Sequence, residues 1–243
     1  MPSATAVLIP WAGVCPHRTA ALEYVRAWYA EHFPDWQICI GHAEAGPQWC
    51  KAQAVADAAR QTSADVLVVA DADCFAPRVG DAVKAVRDSR AWAMPHYVVH
   101  RLSPSATKDV IENGTNPATF PRSLRHYAQM PYTGYAGGGI TVLKRSVYMD
   151  CPLDPRFVGW GQEDESWAIA LKALHGAPWR PQPGPLWHLW HPPQRRSSRA
   201  VGSPLSQNLR TAYRDAARKG TMDQQLAAAR TYASSALVVS GGR

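Results

Sequence analysis

Three clusters in this sequence combine side-chain types and spacings that suit chemistry. Asp71-Ala72-Asp73 follows directly on the apolar run Asp65-Val66-Leu67-Val68-Val69-Ala70. Ligands of open α/β sheets bind at the carboxyl ends of strands, and hard cations such as Mg²⁺ or Mn²⁺ take oxygen ligands. Two carboxylates in that place can hold a divalent cation and the sugar edge of a nucleotide together. A plain turn with solvated acids has the same sequence. Gly159-Trp160-Gly161-Gln162-Glu163-Asp164-Glu165-Ser166 frames an indole with glycines, offering a flat face for a sugar ring. It then sets three carboxylates at the head of a helix expected over Ser166 to Leu174, where acids also serve the helix dipole alone. Trp187-His188-Leu189-Trp190-His191-Pro192 puts two histidines three apart, able to share one metal or to divide binding and orienting between them.

Such residues need a scaffold, and the first two thirds of the chain alternate strand and helix. Ala6 to Pro10 is an apolar run without polar alternation and reads as a buried strand. Thr19 to Phe33 carries Leu22, Val25, Tyr29 and Phe33 at helical spacing and stops at Pro34. Trp36 to Ile40 reads as a strand and Trp49 to Arg60 as an alanine-rich helix. Asp65 to Ala70 is the clearest strand, and Val79 to Asp88 the next helix. Strand–helix repetition of this kind implies βαβ units and a mostly parallel sheet. Residues 101–136, with their prolines and an Asn113-Gly114 turn, break the rhythm and read as a functional loop or lid. Gly137-Gly138-Gly139 restarts the sheet through Ile140 to Leu143, and two short helices end the chain.

At 243 residues and 46% apolar content, the chain can bury a large core without disulfides or a structural metal. Five cysteines (15, 39, 50, 74 and 151) with no Cys-x-x-Cys pair fit a reduced, cytoplasmic protein. Met1 to Cys15 lacks the features of a signal peptide, and acids interrupt the greasiest stretch, so no membrane span is expected. The net charge of +7 is uneven: residues 180–243 carry ten basic against two acidic side chains. A basic C-terminal region fits either a polyanionic partner or a solvated surface.

Together the clusters resemble a known family. Asp71-Ala72-Asp73 is similar to the Asp-x-Asp motif of GT-A fold nucleotide-sugar glycosyltransferases. Gly159 to Asp164 is similar to the Gly-Trp-Gly-x-Glu-Asp motif of the inverting β-1,4-galactosyltransferase and chondroitin-polymerase type. The third metal ligand of that group is a histidine beyond this motif; His191 stands 31 residues past Trp160, and His188 takes the place of a weaker ligand. The resemblance spans residues 5–195 and implies a Rossmann-like, mixed, mostly parallel sheet flanked by helices. Residues 1–195 would form the GT-A domain and 196–243 its basic helical extension.

The resemblance also implies metal-dependent inverting transfer of a hexose from a UDP-sugar to an acceptor hydroxyl. Mn²⁺ or Mg²⁺ would be held by Asp73 and His191, with His188 and Asp71 assisting. Asp164 would act as general base, and Glu163 would hydrogen-bond a sugar against the wall formed by Trp160. Pro10, Trp11, Ala12 and Arg18, with Asp71, Ala72 and Asp73, would contact the nucleotide, while Gly138, Gly139 and Gly161 would leave room for sugar. The acceptor stays open among a glycan, a protein and hydroxymethylated DNA. For the last of these, Arg195, Arg196, Arg199, Arg210, Arg214 and Arg218 would neutralise phosphates. The other reading is a non-catalytic nucleotide- or nucleic-acid-binding protein on the same scaffold.

Overall fold

The computed structural model describes residues 4–13, 15–44, 48–129, 138–159, 161–182, 184–192 and 203–238. Strand β1 (Thr5–Trp11) leads to helix α1 (Pro16–His32), β2 (Gln37–His42), α2 (Lys51–Arg60) and β3 (Val66–Ala70). A two-residue strand β4 (Cys74–Phe75) precedes α3 (Val79–Asp88), β5 (Trp92–Ala93), β6 (Val98–Leu102) and α4 (Pro104–Asn113). After two 3₁₀ turns come β7 (Arg125–Gln129), β8 (Ile140–Lys144), α5 (Arg145–Asp150), α6 (Glu163–His175) and β9 (Pro185–His188). Helices α7 (Pro204–Lys219) and α8 (Met222–Val238) follow.

Two sheets result. The five-stranded one runs β2-β1-β3-β8-β5, with β1, β2 and β3 parallel and β8 and β5 joining antiparallel. The four-stranded one runs β4-β9-β6-β7, and only β6 and β9 are parallel there. Alternate residues of β1 and β3 enter two separate cores, as a strand covered on both faces requires. Ala6, Leu8, Leu67 and Val69 pack with α2, α5, α6, α7 and α8, while Val7, Ile9, Val66 and Val68 pack with α1, α3 and α4. Leu209, Tyr213, Leu226 and Ala229 of the last two helices belong to the first of these cores. Tyr213 Oη also donates to buried Asp154, 2.9 Å away.

The expected loop over 101–136 is a misreading for its described part, residues 101–129. Its described prolines do not interrupt an element; Pro104 begins one. Ser103 caps α4 by accepting from the Ala106 N–H at 3.2 Å, Pro104 takes the first turn, and Gly114 closes the helix at φ 65°. Proline at the first helical position and glycine just past the last are start and stop signals. Residues 101 and 102 end β6, the two 3₁₀ turns follow α4, Arg125–Gln129 form β7, and residues 130–136 lie outside the described residues.

One glycine fixes how closely α2 packs on β2. A Cβ at Gly41 would lie 1.9 Å from the Ala54 carbonyl oxygen and 2.5 Å from the Ala58 nitrogen, both rigid backbone atoms. Gly41→Ala should therefore destabilise the protein by about 3 kcal/mol, the upper range for overpacking a core. Urea denaturation measures this directly, and an unchanged midpoint would show that α2 shifts freely.

Candidate active site

Because β1 and β3 are parallel, their carboxyl ends open on the same side, and a cleft of about 380 Å³ lies there. Pro10, Trp11 and Ala12 line it from the end of β1, and Arg18 from α1. Asp71, Ala72 and Asp73 line it after β3, Gly138 and Gly139 before β8, and Gly161, Glu163 and Asp164 at the head of α6. His188 and His191 complete the wall. The structure thus brings together all the site residues expected from sequence except Trp160, which falls outside the described residues. Arg195, Arg196 and Arg199 fall outside them as well.

Local structure explains the convergence. The Cys74 N–H donates to the Asp71 carbonyl, turning the chain after β3 (3.1 Å), and the Leu189 N–H donates to the Asp73 carbonyl (2.8 Å). Cys74 stands opposite His188 in the β4–β9 ladder, which brings the imidazole beside Asp73. Helix α4 contributes too, since the buried Thr107 hydroxyl accepts from the Trp190 N–H at 2.7 Å, next to His191. The turn before α6 is built from left-handed backbone: Gly159 at φ 79°, Gly161 at φ 105° and Gln162 at φ 77°. Gln162 is the only non-glycine in that region among the described residues. Such conformations are costly and concentrate at functional sites. Here they aim the first turn of α6 into the cleft.

Around Asp73 the acceptors face one another. His191 Nδ1 lies 2.9 Å from the Pro192 carbonyl and His188 Nδ1 lies 2.8 Å from the Leu189 carbonyl. Those contacts put a proton on Nδ1 of each ring, so that a neutral ring presents its Nε2 lone pair to the cleft. The two Nε2 atoms stand 3.1 Å and 3.9 Å from the Asp73 carboxylate. Burial, opposed by Asp73 and helped by Arg101, pushes the His188 pKa down and keeps the ring neutral. Two imidazole lone pairs meeting at a carboxylate, with the weakly donating Cys74 thiol 3.3 Å from Asp73 Oδ1, fit a divalent cation. Backbone carbonyls that orient metal-binding imidazoles are the usual outer shell of such sites. Asp73, Cys74 and His188 also offer ligand atoms within 4.8 Å of one another.

Asp71 is engaged elsewhere. Its Oδ1 takes an ion pair from Lys51 Nζ at 2.7 Å, and its Oδ2 accepts from the Gly139 N–H at 3.1 Å. Lys51 Nζ also donates to Asp164 Oδ1 at 2.8 Å and is almost fully buried. Burial opposes the ammonium, but Asp164, Asp71 and Glu163 together raise its pKa and keep it charged. For Asp164, burial is the main cause of a pKa pushed up to about 7; Lys51 opposes the rise, while Glu163 and Asp71 add to it. Burial also raises Glu163, against Lys51. One carboxyl poised near neutrality, with a neighbour and a buried ammonium beside it, suits proton transfer at physiological pH.

The third acid of the run faces α7. Glu165 pairs with Arg210 at 3.1 Å and also with Arg214. Arg218 pairs with Asp215 one turn away, and Arg230 of α8 pairs with Asp150 and Asp223. The arginines of the two C-terminal helices are thus engaged in ion pairs within the protein.

Sequence reasoning missed Lys51 and Arg101, both of which line the cleft. A signal existed for Lys51: it opens α2, where the helix dipole disfavours a cation. Arg101 lay in the stretch misread as a loop.

No family model matches the chain. A segment of 87 residues is 32% identical to queuine tRNA-ribosyltransferase of Thioalkalivibrio sulfidiphilus. It covers 35% of this chain, and the chain spans only 24% of that relative's length. Solved structures are more informative about architecture. The catalytic domain of Drosophila β1,4-galactosyltransferase 7, solved with xylobiose, superposes with a TM-score of 0.53 at 15% identity, covering 84% of this chain and 78% of that one. Glucosyl-3-phosphoglycerate synthase of Mycobacterium tuberculosis, solved with Mn²⁺, UDP-glucose and phosphoglyceric acid, gives 0.51 at 13% identity, covering 88% and 79%. At such identities the likeness establishes the fold, which is the GT-A fold.

Proposed function

We propose that this chain is a metal-dependent glycosyltransferase that moves a hexose from a UDP-sugar to an acceptor hydroxyl with inversion at the anomeric carbon. The observation that carries the reading is the meeting, in one GT-A cleft, of a cation-fitting set with a carboxyl poised near pH 7. The solved mycobacterial relative holds Mn²⁺ and UDP-glucose, which supports the same pair of ligands here. Asp73, His188 and His191 would hold the metal, whose chemistry is to neutralise charge on a departing diphosphate. Asp71, with both oxygens occupied, is assigned to the nucleotide side rather than to the cation. Pro10, Trp11, Ala12 and Arg18 flank the base and ribose, and Gly138 and Gly139 leave space for the donor sugar.

Asp164 takes the proton of the acceptor hydroxyl as its oxygen attacks the anomeric carbon. The bond from that carbon to the diphosphate breaks, and its electron pair leaves on the phosphate oxygen. Glu163 hydrogen-bonds a sugar hydroxyl, as its unpartnered buried oxygen allows. The acidic mouth suits an uncharged polyhydroxyl acceptor, and the pairing of Arg210 and Arg214 with Glu165 weighs against DNA. No described helix is long and apolar enough to cross a membrane, and all five cysteines are free, which supports a reducing compartment.

Thermal melting with UDP-, GDP- and dTDP-sugars tests the reading. UDP-sugar with Mn²⁺ at a hundredfold over its Kd should add about 2.7 kcal/mol of stability. Absence of stabilisation by every nucleotide would sink it, and NMR of the product decides inversion. His191→Ala should weaken Mn²⁺ binding by at least ~10–100-fold, given that even outer-shell changes reach that size. An unaltered Mn²⁺ titration would place the ion elsewhere.

A further inference from the structure

Arg101 has no role in the scheme above, yet its surroundings call for a ligand. It lies on β6 in register with His188 on β9, and His188 stands opposite Cys74 on β4. Residues in register on neighbouring strands share a face and stand about 5 Å apart. Cys74, His188 and Arg101 therefore form one row on the cleft side of the four-stranded sheet. The preceding residues confirm the alternation: His100 stacks on Trp187 with ring centroids 4.7 Å apart. The pairing of β6 with β7 shifts register between Arg101 and Leu102, the kind of irregularity that re-aims a side chain beside a site. Among the described residues no carboxylate pairs with Arg101, and its buried Nε has no hydrogen-bond partner. A guanidinium half-buried in a cleft, with no counter-ion among the described residues, suits an anion.

We infer that Arg101 grips the diphosphate of the nucleotide donor beside the cation held by Asp73, His188 and His191. This rests on the function proposed above and assigns its phosphate contact. The charges match: Asp73, a divalent cation and Arg101 sum to two positive charges, imidazoles that bind the ion through lone pairs add none, and a diphosphate diester balances the two. When the sugar departs, the diphosphate gains one more negative charge, so the Arg101 contact strengthens as the bond breaks. Binding of that kind accelerates the reaction as well as holding the donor.

The test compares Arg101→Met and Arg101→Lys with the parent protein by calorimetric titration of UDP in the presence of Mn²⁺. Charge-assisted hydrogen bonds to phosphate predict a ~10–100-fold loss of UDP affinity for Arg101→Met and a partial recovery for Arg101→Lys. Mn²⁺ affinity without nucleotide, read by electron paramagnetic resonance, should stay level or rise in Arg101→Met, since a like charge beside the ion has gone. General damage to the site would instead lower it. Equal UDP affinity in all three proteins, or a parallel loss of Mn²⁺ affinity, overturns the assignment of Arg101. Failure of the parent protein to bind UDP with Mn²⁺ overturns the nucleotide reading itself, and this contact with it.

Discussion

Asp164→Asn should reduce transfer by ~10²–10⁴-fold, the usual contribution of a general base, while UDP and Mn²⁺ still bind. In the parent protein, activity should rise with pH through about 7, where Asp164 loses its proton, and the variant should lack that limb. The stability consequence has a definite sign. The Asp164 pKa is raised from 3.8 in the unfolded chain to about 7 in the fold, so its contribution to stability is present below pH 3.8 and lost as the pH rises through about 7. The substituted amide carries no charge to bury, so above pH 7 the variant should melt no lower than the parent. An inactive variant that also melts early at pH 8 would mark Asp164 as a structural residue.

Lys51→Met should have the second largest effect. It removes the one ammonium that contacts both Asp71 and Asp164 and leaves these carboxylates, with Glu163, facing one another. Breaking a buried ion pair costs about 3–5 kcal/mol, and the lower figure applies because both partners keep some water contact. Without Lys51 the carboxyl of Asp164 rises further, so the activity limb near pH 7 should move to higher pH. The charges that face Asp164 are Lys51, Glu163 and Asp71, and only Lys51 among them holds the proton off. A variant with normal stability and an unmoved pH profile would show that Lys51 is a bystander.

The legible parts of the fold share a physical reason. β3 is continuous apolar sequence and α3 is strictly periodic, so each declares itself locally, and Val79–Asp88 is observed as expected. The four-stranded sheet does not declare itself. β4 has two residues, and its partner β9 lies more than a hundred residues away, so neither strand exists without the other. α4 was hidden by taking Pro104 as a breaker when it was an opener. At the site, residue types and spacing singled out Asp73, His188 and His191 as candidate ligands, because carboxylates and imidazoles are visible in a sequence. The carbonyls of Leu189 and Pro192 that set the two tautomers are backbone geometry and leave no mark on residue identity. Lys51 escaped for a related reason: its partner Asp164 is 113 residues distant, and periodicity assigns it to the end of an alanine-rich helix.

Asp71-Ala72-Asp73 is more than a ligand motif. It is the whole of the chain between β3 and β4, the last strand residue of one sheet being Ala70 and the first of the other Cys74. The carboxylates come from this joint, and the imidazoles from the second sheet and the chain just beyond it. A cation gripped by Asp73 and the two histidines would therefore rivet the sheets at one of the places where the polypeptide crosses between them. Loading the ion and setting the angle between the two halves of the scaffold would then be a single event.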